Sequence, residues 1–326
     1  MGVGAADSLL VEPESVESVE LVDGEIVARS PWQLFWRRFR SDRVALASLA
    51  FIVLLILVAV LAPFIVKLIG VTGPNQPNQN ALDAFGQPTG PSAAHPFGVD
   101  ELGRDILARV IYGAQVSLEV AFISTGIAVF MGVVIGTIAG YFRGWIDSLL
   151  ARLMDIVLAF PILLLAIGLA SACSLGKGCL GGLITPGRVT LIVVIALSSW
   201  PYIGRIIRGQ ALSLREREFV DAARSLGAGS PRILFIEMLP NLAAPILVYS
   251  TLLIPTNILF EAALSFLGVG VRPPTPTWGG MLSDATHWFQ IAPNFMLFPG
   301  LAIFVTVLAF NLFGDGLRDA LDPRSR

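Results

Sequence analysis

Residues able to make or break bonds are few in this chain. Its 326 residues include two histidines, His95 and His287, and two cysteines, Cys173 and Cys179. A Ser/His/Asp or Cys/His relay needs an imidazole beside a nucleophile, and both histidines lie in loops far apart in the chain. Neither has a partner at ligand spacing, so no metal site is expected. The sequence GxxxxGK followed by Ser or Thr is absent, so the chain is not expected to bind ATP in the usual way. Cys173 and Cys179 stand six apart in SACSLGKGCLGG, with glycines between and after them. That spacing permits a small disulfide in an oxidising compartment and equally a reduced pair.

The elements that would carry any function are apolar. Hydrophobic residues make up 55 % of the chain and charged ones 14 %, against about 25 % charge in a soluble domain. The net charge of −2 gives no basic character, so no nucleic-acid partner is expected. Charge-free apolar runs cover 44–66, 120–142, 156–176, 189–204, 238–260 and 291–314. At about 1.5 Å per residue, five of the six cross a layer of roughly 30 Å. The fourth is short, but it is flanked by Arg188 and Arg205, which can snorkel, and Ile206 and Ile207 continue its pattern. The expected fold class is therefore an all-α polytopic membrane protein with six transmembrane helices. Sixteen of the 22 Lys and Arg residues fall in the segments that share a side with the N-terminus. Under the positive-inside rule both termini are expected in the cytoplasm.

The expected organisation follows from these runs. Residues 1–28 hold seven acidic groups and no Lys or Arg, a solvated tail. Residues 29–43 contain WQLFWRRFRSDR, whose aromatics and arginines fit an amphipathic segment on anionic lipid headgroups. A first transmembrane helix at 44–69 begins too late and runs too long for a cleaved signal sequence. Residues 70–110 form an extracytoplasmic loop ending in HPFGVDELGRD, which reads as a structural clamp over the outer mouth. Residues 111–314 form a core with five further spans, and 315–326 a cytoplasmic tail. Gly132, Gly136 and Gly140 form overlapping GxxxG steps suited to close helix packing. Pro161, Pro245 and Pro255 lie within spans and can kink them. No acid or base falls inside the six runs, with Glu261 and Asp315 just past two ends, so energy for any transport is expected from elsewhere.

The longest charged segment on the N-terminal side of the membrane is 205–240. Helix formers and alternating charges run to Gly227, Gly229 and Pro231, which break a continuous helix. Two short helices joined at glycine, exposed to the cytoplasm, are expected there.

Within that segment, DAARSLG at 221–227, followed by Leu239 and Pro240, resembles the EAA loop of permease subunits in bacterial ATP-binding-cassette importers. The pattern is EAA, three residues, G, nine residues and IxLP. Asp221 replaces Glu, Ala222, Ala223 and Gly227 match, and Glu237 stands where an apolar residue is usual. HPFGVDELGRDILARVIYGAQVSL, GYFRGWIDSLLARLMDIVLAFP, EAALSFLGVGVRPPTPTWGGML and NLFGDGLRDALDPR, in order, resemble the C-type permease of the dipeptide, oligopeptide and nickel importer group. The resemblance runs from about residue 30 to the C-terminus. It implies the type I importer permease fold in a bacterial inner membrane. It also implies an extracytoplasmic peptide-binding protein, a homologous second permease and two ATP-binding-cassette domains that hold ATP and Mg, with no cofactor in this chain. Asp221, Ala222, Ala223, Gly227 and Gly229 would form the short helix and turn that dock on an ATPase domain and convey its closure to the pore. Peptide is the expected cargo, and nickel or another small solute the alternative. A secondary carrier would need coupling groups and an internal repeat, and a membrane enzyme a catalytic constellation; none is apparent.

Overall fold

The computed structural model describes residues 31–174 and 178–321. The acidic segment at 1–28, Arg29, Lys177, Arg324 and Arg326 lie outside them. Among the described residues the architecture is all α. A short helix α1 (Pro31–Ser41) precedes α2 (Arg43–Val60) and α3 (Ala62–Ile69), and a long loop leads to α4 (Ile106–Tyr141). The pair α5 (Trp145–Ala159) and α6 (Ile162–Ser174) follows, then α7 (Arg188–Arg215) and α8 (Glu218–Ser225). A short turn α9 (Ser230–Arg232) passes through a π-helical turn, Ile233–Met238, into α10 (Leu239–Phe266). Helices α11 (Trp278–Ala285) and α12 (Pro293–Leu321) complete the chain.

Five stretches are long and apolar enough to cross a membrane: α2, α4, α7, Ser230–Phe266 and α12. A sixth exists if α5 and α6, bent by 88° at their junction, count as one span. The run at 156–176 is therefore not one continuous helix. Phe160 is extended at φ −82°, ψ 141°, because Pro161 disfavours the helical region for the residue before it. Other helices overrun their charge-free stretches. The fourth run belongs to a 28-residue helix ending at Arg215, so its apparent shortness reflects where charges begin and not where the backbone stops bonding. Likewise α10 and α12 run past their charge-free stretches and enclose Glu261 and Asp315. The first run divides at Leu61, with Pro63 in the opening turn of α3. Short polar side chains start several helices: Asp42 accepts from Val44 N and Ala45 N, Asp105 from Ala108 N, and Thr277 from Gly280 N.

The centre of the bundle is the contact of α4 with α7. A Cβ on Gly132 would lie 2.8 Å from Ile203 Cβ, one on Gly136 2.5 Å from the Gly204 carbonyl oxygen, and one on Gly140 2.6 Å from Ala211 Cβ. The GxxxG steps thus bring two backbones of one chain together. Nearer the other end of this pair, buried Asn257 of α10 accepts from Ser199 Oγ of α7 at 3.0 Å and donates to Thr125 Oγ1 of α4 at 2.8 Å. One amide therefore satisfies donors and acceptors on three helices in an apolar interior. Around this frame α12 packs on α2, where Gly316 meets Ala45, and Phe39 of α1 packs edge-on against Phe313 of α12.

The seam yields a measurable asymmetry within α4. Gly136→Val is expected to cost about 1–3 kcal/mol, because its side chain must displace backbone. Gly126, with open space where a Cβ would stand, is expected to accept alanine with unchanged or slightly raised stability. The surviving monodisperse fraction after heating in detergent compares the two. Equal melting would remove the seam from the centre of the fold.

Candidate functional site

Two groups of functional side chains occupy opposite ends of the bundle. At one end α8 stands between α7 and the π turn. It stops where Gly227 takes φ +84°, with Gly227 N–H donating to Arg224 O and Ala228 N–H to Ala223 O. This left-handed cap is open to glycine at no cost and to a β-branched residue only with strain. Val220, with 0 % exposure, anchors α8 in a cluster with Tyr141, Ala211, Ile233 and Met238. Ala223 packs at the edge of that cluster, whereas Ala222, Gly227 and Gly229 face outward. Asp221 lies in the first turn of α8, at its fourth position, and pairs with Arg224 at 3.0 Å. Four of the five expected residues thus lie on α8 and its cap, and Gly229 caps the start of α9.

It also adds residues that the motif did not single out. A groove beside α8 is lined by Phe219, Ala222, Leu226, Ala228, Arg232 and Glu237. Leu226 is 88 % exposed, and Phe235 and Ile236 of the adjoining π turn are exposed too. The π turn inserts one residue into the helical register. Ile233 and Met238 consequently point inward, and Glu237 comes to the groove rim where an apolar residue was expected. Two breaks bound α8: the expected glycine turn and a second at Glu216 and Arg217. The signal for the second was weak, since the REREF stretch is composed of helix formers.

At the other end the loop before α4 is pinned by buried charge. Asp100, fully buried, accepts from Arg104 Nε at 2.6 Å and lies 3.3 Å from Arg109 Nε. Arg109 also donates to the Pro74 carbonyl at 3.1 Å. His95 Nδ1 contacts Asp105 at 2.8 Å, Trp288 donates to Glu101 at 3.1 Å, and Asn294 donates to the Phe97 carbonyl at 2.8 Å. His95 therefore belongs to a clamp joining the loop to the start of α4. Burial pushes the Asp284 carboxyl up from its ordinary value, with Glu101 adding to the shift and Arg109 opposing it. Cys173 and Cys179 are joined with Cα atoms 4.8 Å apart, and backbone bonds between Cys179 and Ile184 close the adjoining turn. Among the described residues no group of three or more His, Cys, Asp or Glu could hold a metal ion.

Glu261, which lies deeper on this side, was not singled out as a site residue. It is fully buried in α10 and accepts from Ser265 Oγ at 2.7 Å, and its other oxygen has no hydrogen-bond partner among the described residues. The only sequence signal for it was an acid directly after an apolar run.

Comparison with known proteins supplies an independent frame. Residues 132–326 match the family described as binding-protein-dependent transport system inner membrane component. Residues 30–88 match the N-terminal TM domain of oligopeptide transport permease C. The dipeptide transport system permease protein DppC of Alkalihalophilus pseudofirmus is 46 % identical over 237 residues, covering 73 % of this chain and 74 % of the relative. The glutathione transport system permease protein GsiD of Escherichia coli is 44 % identical over 300 residues, covering 91 % of each chain. A chain of the inward-facing MetNI methionine ABC transporter superposes with a TM-score of 0.56 at 16 % identity, covering 67 % of this chain and 98 % of that one, which shows a shared fold.

Two outcomes follow from the charged clamp. Asp100→Ala leaves Arg104 and Arg109 buried without their shared carboxylate and is expected to cost about 3–5 kcal/mol, read as a lowered melting temperature in detergent. The raised Asp284 carboxyl holds its proton more tightly in the folded than in the unfolded chain. Its contribution to stability therefore falls as pH rises from the ordinary carboxylate range through the raised value. Asp284→Asn is expected to flatten the slope of melting temperature against pH in that window; an unchanged slope would assign it to other groups.

Proposed function

Because this chain belongs to the family of binding-protein-dependent transport system inner membrane components, we propose that it forms half of the pathway of an ATP-driven importer for di- or oligopeptides. The family match and the long apolar helices make it a multi-pass inner-membrane permease subunit. A homologous second permease completes the path. Two ATP-binding-cassette domains hold ATP and Mg, an extracytoplasmic binding protein delivers the peptide, and membrane lipid surrounds the bundle. Dipeptide and glutathione in the names of close relatives support a short peptide as cargo.

Six spans, with α5 and α6 together counting as one, put both termini and α8 in the cytoplasm, and the Asp100 clamp and the Cys173–Cys179 disulfide outside. The excess of Lys and Arg on the α8 side supports this orientation. The observation that carries the reading is a short helix held by Val220 and ended at Gly227, with a groove of mixed polarity beside it at an end of the bundle. Asp221, Ala222, Ala223, Gly227 and Gly229 dock on the ATPase. Small side chains at Ala222 and Gly229 allow close approach, and the exposed Phe219 and Leu226 supply apolar area. Nucleotide-driven closure of the ATPase pair displaces α8, and the helices packed on it move with it.

The test uses the complex with its ATPases and binding protein in proteoliposomes. Ala223→Trp and Gly227→Val are expected to lower ATPase copurification or to reduce peptide uptake per ATP at least tenfold while the chain stays inserted. Parental assembly and ratio in both variants would refute docking at α8. Uptake of nickel with no peptide competition would replace the cargo. Sidedness is read by labelling. A cysteine at Ser213 in a background lacking Cys173 and Cys179 should resist an impermeant reagent, and an impermeant reductant should expose two thiols in the parental chain.

A further inference from the structure

Tyr141, the last residue of α4, collects contacts from every segment that flanks the coupling helix. Its ring is nearly buried. Arg224 of α8 places its guanidinium carbon 5.6 Å from the ring centroid, and Arg215, the last residue of α7, places its own 5.9 Å away. The same Arg215 donates through Nη1 to the Tyr141 carbonyl at 2.5 Å, satisfying one of the acceptors that a helix C-terminus leaves open. The Tyr141 hydroxyl lies 3.4 Å from Ser230 Oγ, at the start of the segment that runs into α10. Two cations on one aromatic side chain repel each other and are held together by the ring quadrupole and the carbonyl.

The other anchors of α8 do not single out a helix. Val220 is buried in a cluster to which α4, α5, α7, the π turn and α10 all contribute, and apolar burial is non-directional. Arg224 also pairs with Asp221, but that bond lies within α8. The ring stacking is a directional contact from α8 to α4, and α4 is the helix whose backbone is locked to α7 at the glycine seam and to α10 through Asn257.

We propose that Tyr141 is the positioning residue through which a displacement of α8 reaches α4, its aromatic ring gripping Arg224 while its carbonyl and hydroxyl hold the flanking segments. This rests on the reading that α8 docks on an ATPase, and it assigns the path taken by that displacement inside the permease. The essential property is the ring and not the hydroxyl, since the hydroxyl contact to Ser230, at 3.4 Å, is the longer of the two hydrogen bonds and does not reach α8.

Two measurements test it. In the purified chain, hydrogen exchange of the 218–225 amides is expected to quicken at least fivefold in Tyr141→Leu and to stay within twofold of the parent in Tyr141→Phe. In the complex in proteoliposomes, Tyr141→Leu is expected to copurify with its ATPases, yet import at least fivefold less dipeptide per ATP, with Tyr141→Phe near the parental ratio. Arg224→Gln, which leaves the α4 terminus intact, should reproduce the leucine phenotype, and Arg224→Lys should partly restore the ratio. If Tyr141→Leu fails to assemble, the Arg224 pair decides the coupling result. Unchanged exchange in Tyr141→Leu, or parental coupling in Arg224→Gln, overturns the proposal. Parental assembly and coupling ratio in Ala223→Trp and Gly227→Val refute the docking reading instead, and the exchange measurement on the chain alone then decides the joint.

Discussion

Along Gly132, Gly136 and Gly140 the backbone of α4 lies close enough to α7 that any side chain there would have to displace Ile203, a peptide carbonyl or Ala211. This approach sets the axis of the bundle. Water is absent from a hydrocarbon layer, so apolar burial gives little reason for one membrane helix to choose another, and close van der Waals contact has to supply it. Once α4 and α7 are fixed, α10 is placed by Asn257, which reaches Thr125 on one and Ser199 on the other. The C-terminal part of α7 is further braced by Arg208, which grips Asp147 of α5 with two bonds at 2.6 and 2.9 Å.

Buried polarity does the remaining positioning, differently at the two ends. At the end where α4 begins, Asp100 with Arg104 and Arg109 ties a loop rich in Pro and Gly to that helix, so a segment with little apolar content of its own is still held in place. Deeper, Glu261 and Ser265 lie together on α10, near the end where α11 begins with Thr277 as its cap. At the end that carries α8 the polar groups lie nearer the surface and join segments that have different neighbours: Arg143 pairs with Glu216, and Arg205 with Asp155. Exposed ion pairs of this kind contribute little each, and they can rearrange without leaving a buried charge unpaired. The end that carries α8 is thus built from exchangeable contacts, whereas the opposite end is built from contacts that are costly to break.

Helix α8 combines both kinds of contact. Val220 keeps α8 on the bundle, and Leu226 and Phe219 leave apolar surface facing away from it. A helix of eight residues is marginal by itself in water, so its persistence depends on that one buried valine, the left-handed cap at Gly227 and the ring of Tyr141.

Much of this was legible from residue order. Apolar runs located the membrane helices because a hydrocarbon layer demands uncharged length, and DAARSLG located α8 and its cap because helix formers followed by a left-handed glycine have few other outcomes. Helix ends were poorly legible, since a charge marks where the membrane stops and not where hydrogen bonding stops; α7 runs on to Arg215 and α10 takes in Glu261 for that reason. The 88° bend at Pro161 was readable as a kink but not in size, because packing of α5 and α6 on their neighbours sets the angle. What no local pattern contains is pairing across the chain. The glycine stripe met α7, Asn257 found Ser199 and Thr125, Asp100 found Arg109, and Tyr141 found Arg215 and Arg224, each through contacts that exist only once distant segments share one volume. Residue type and spacing determined which elements form and which surface they can offer, and tertiary structure decided their partners, because a contact energy depends on distances that sequence separation does not encode.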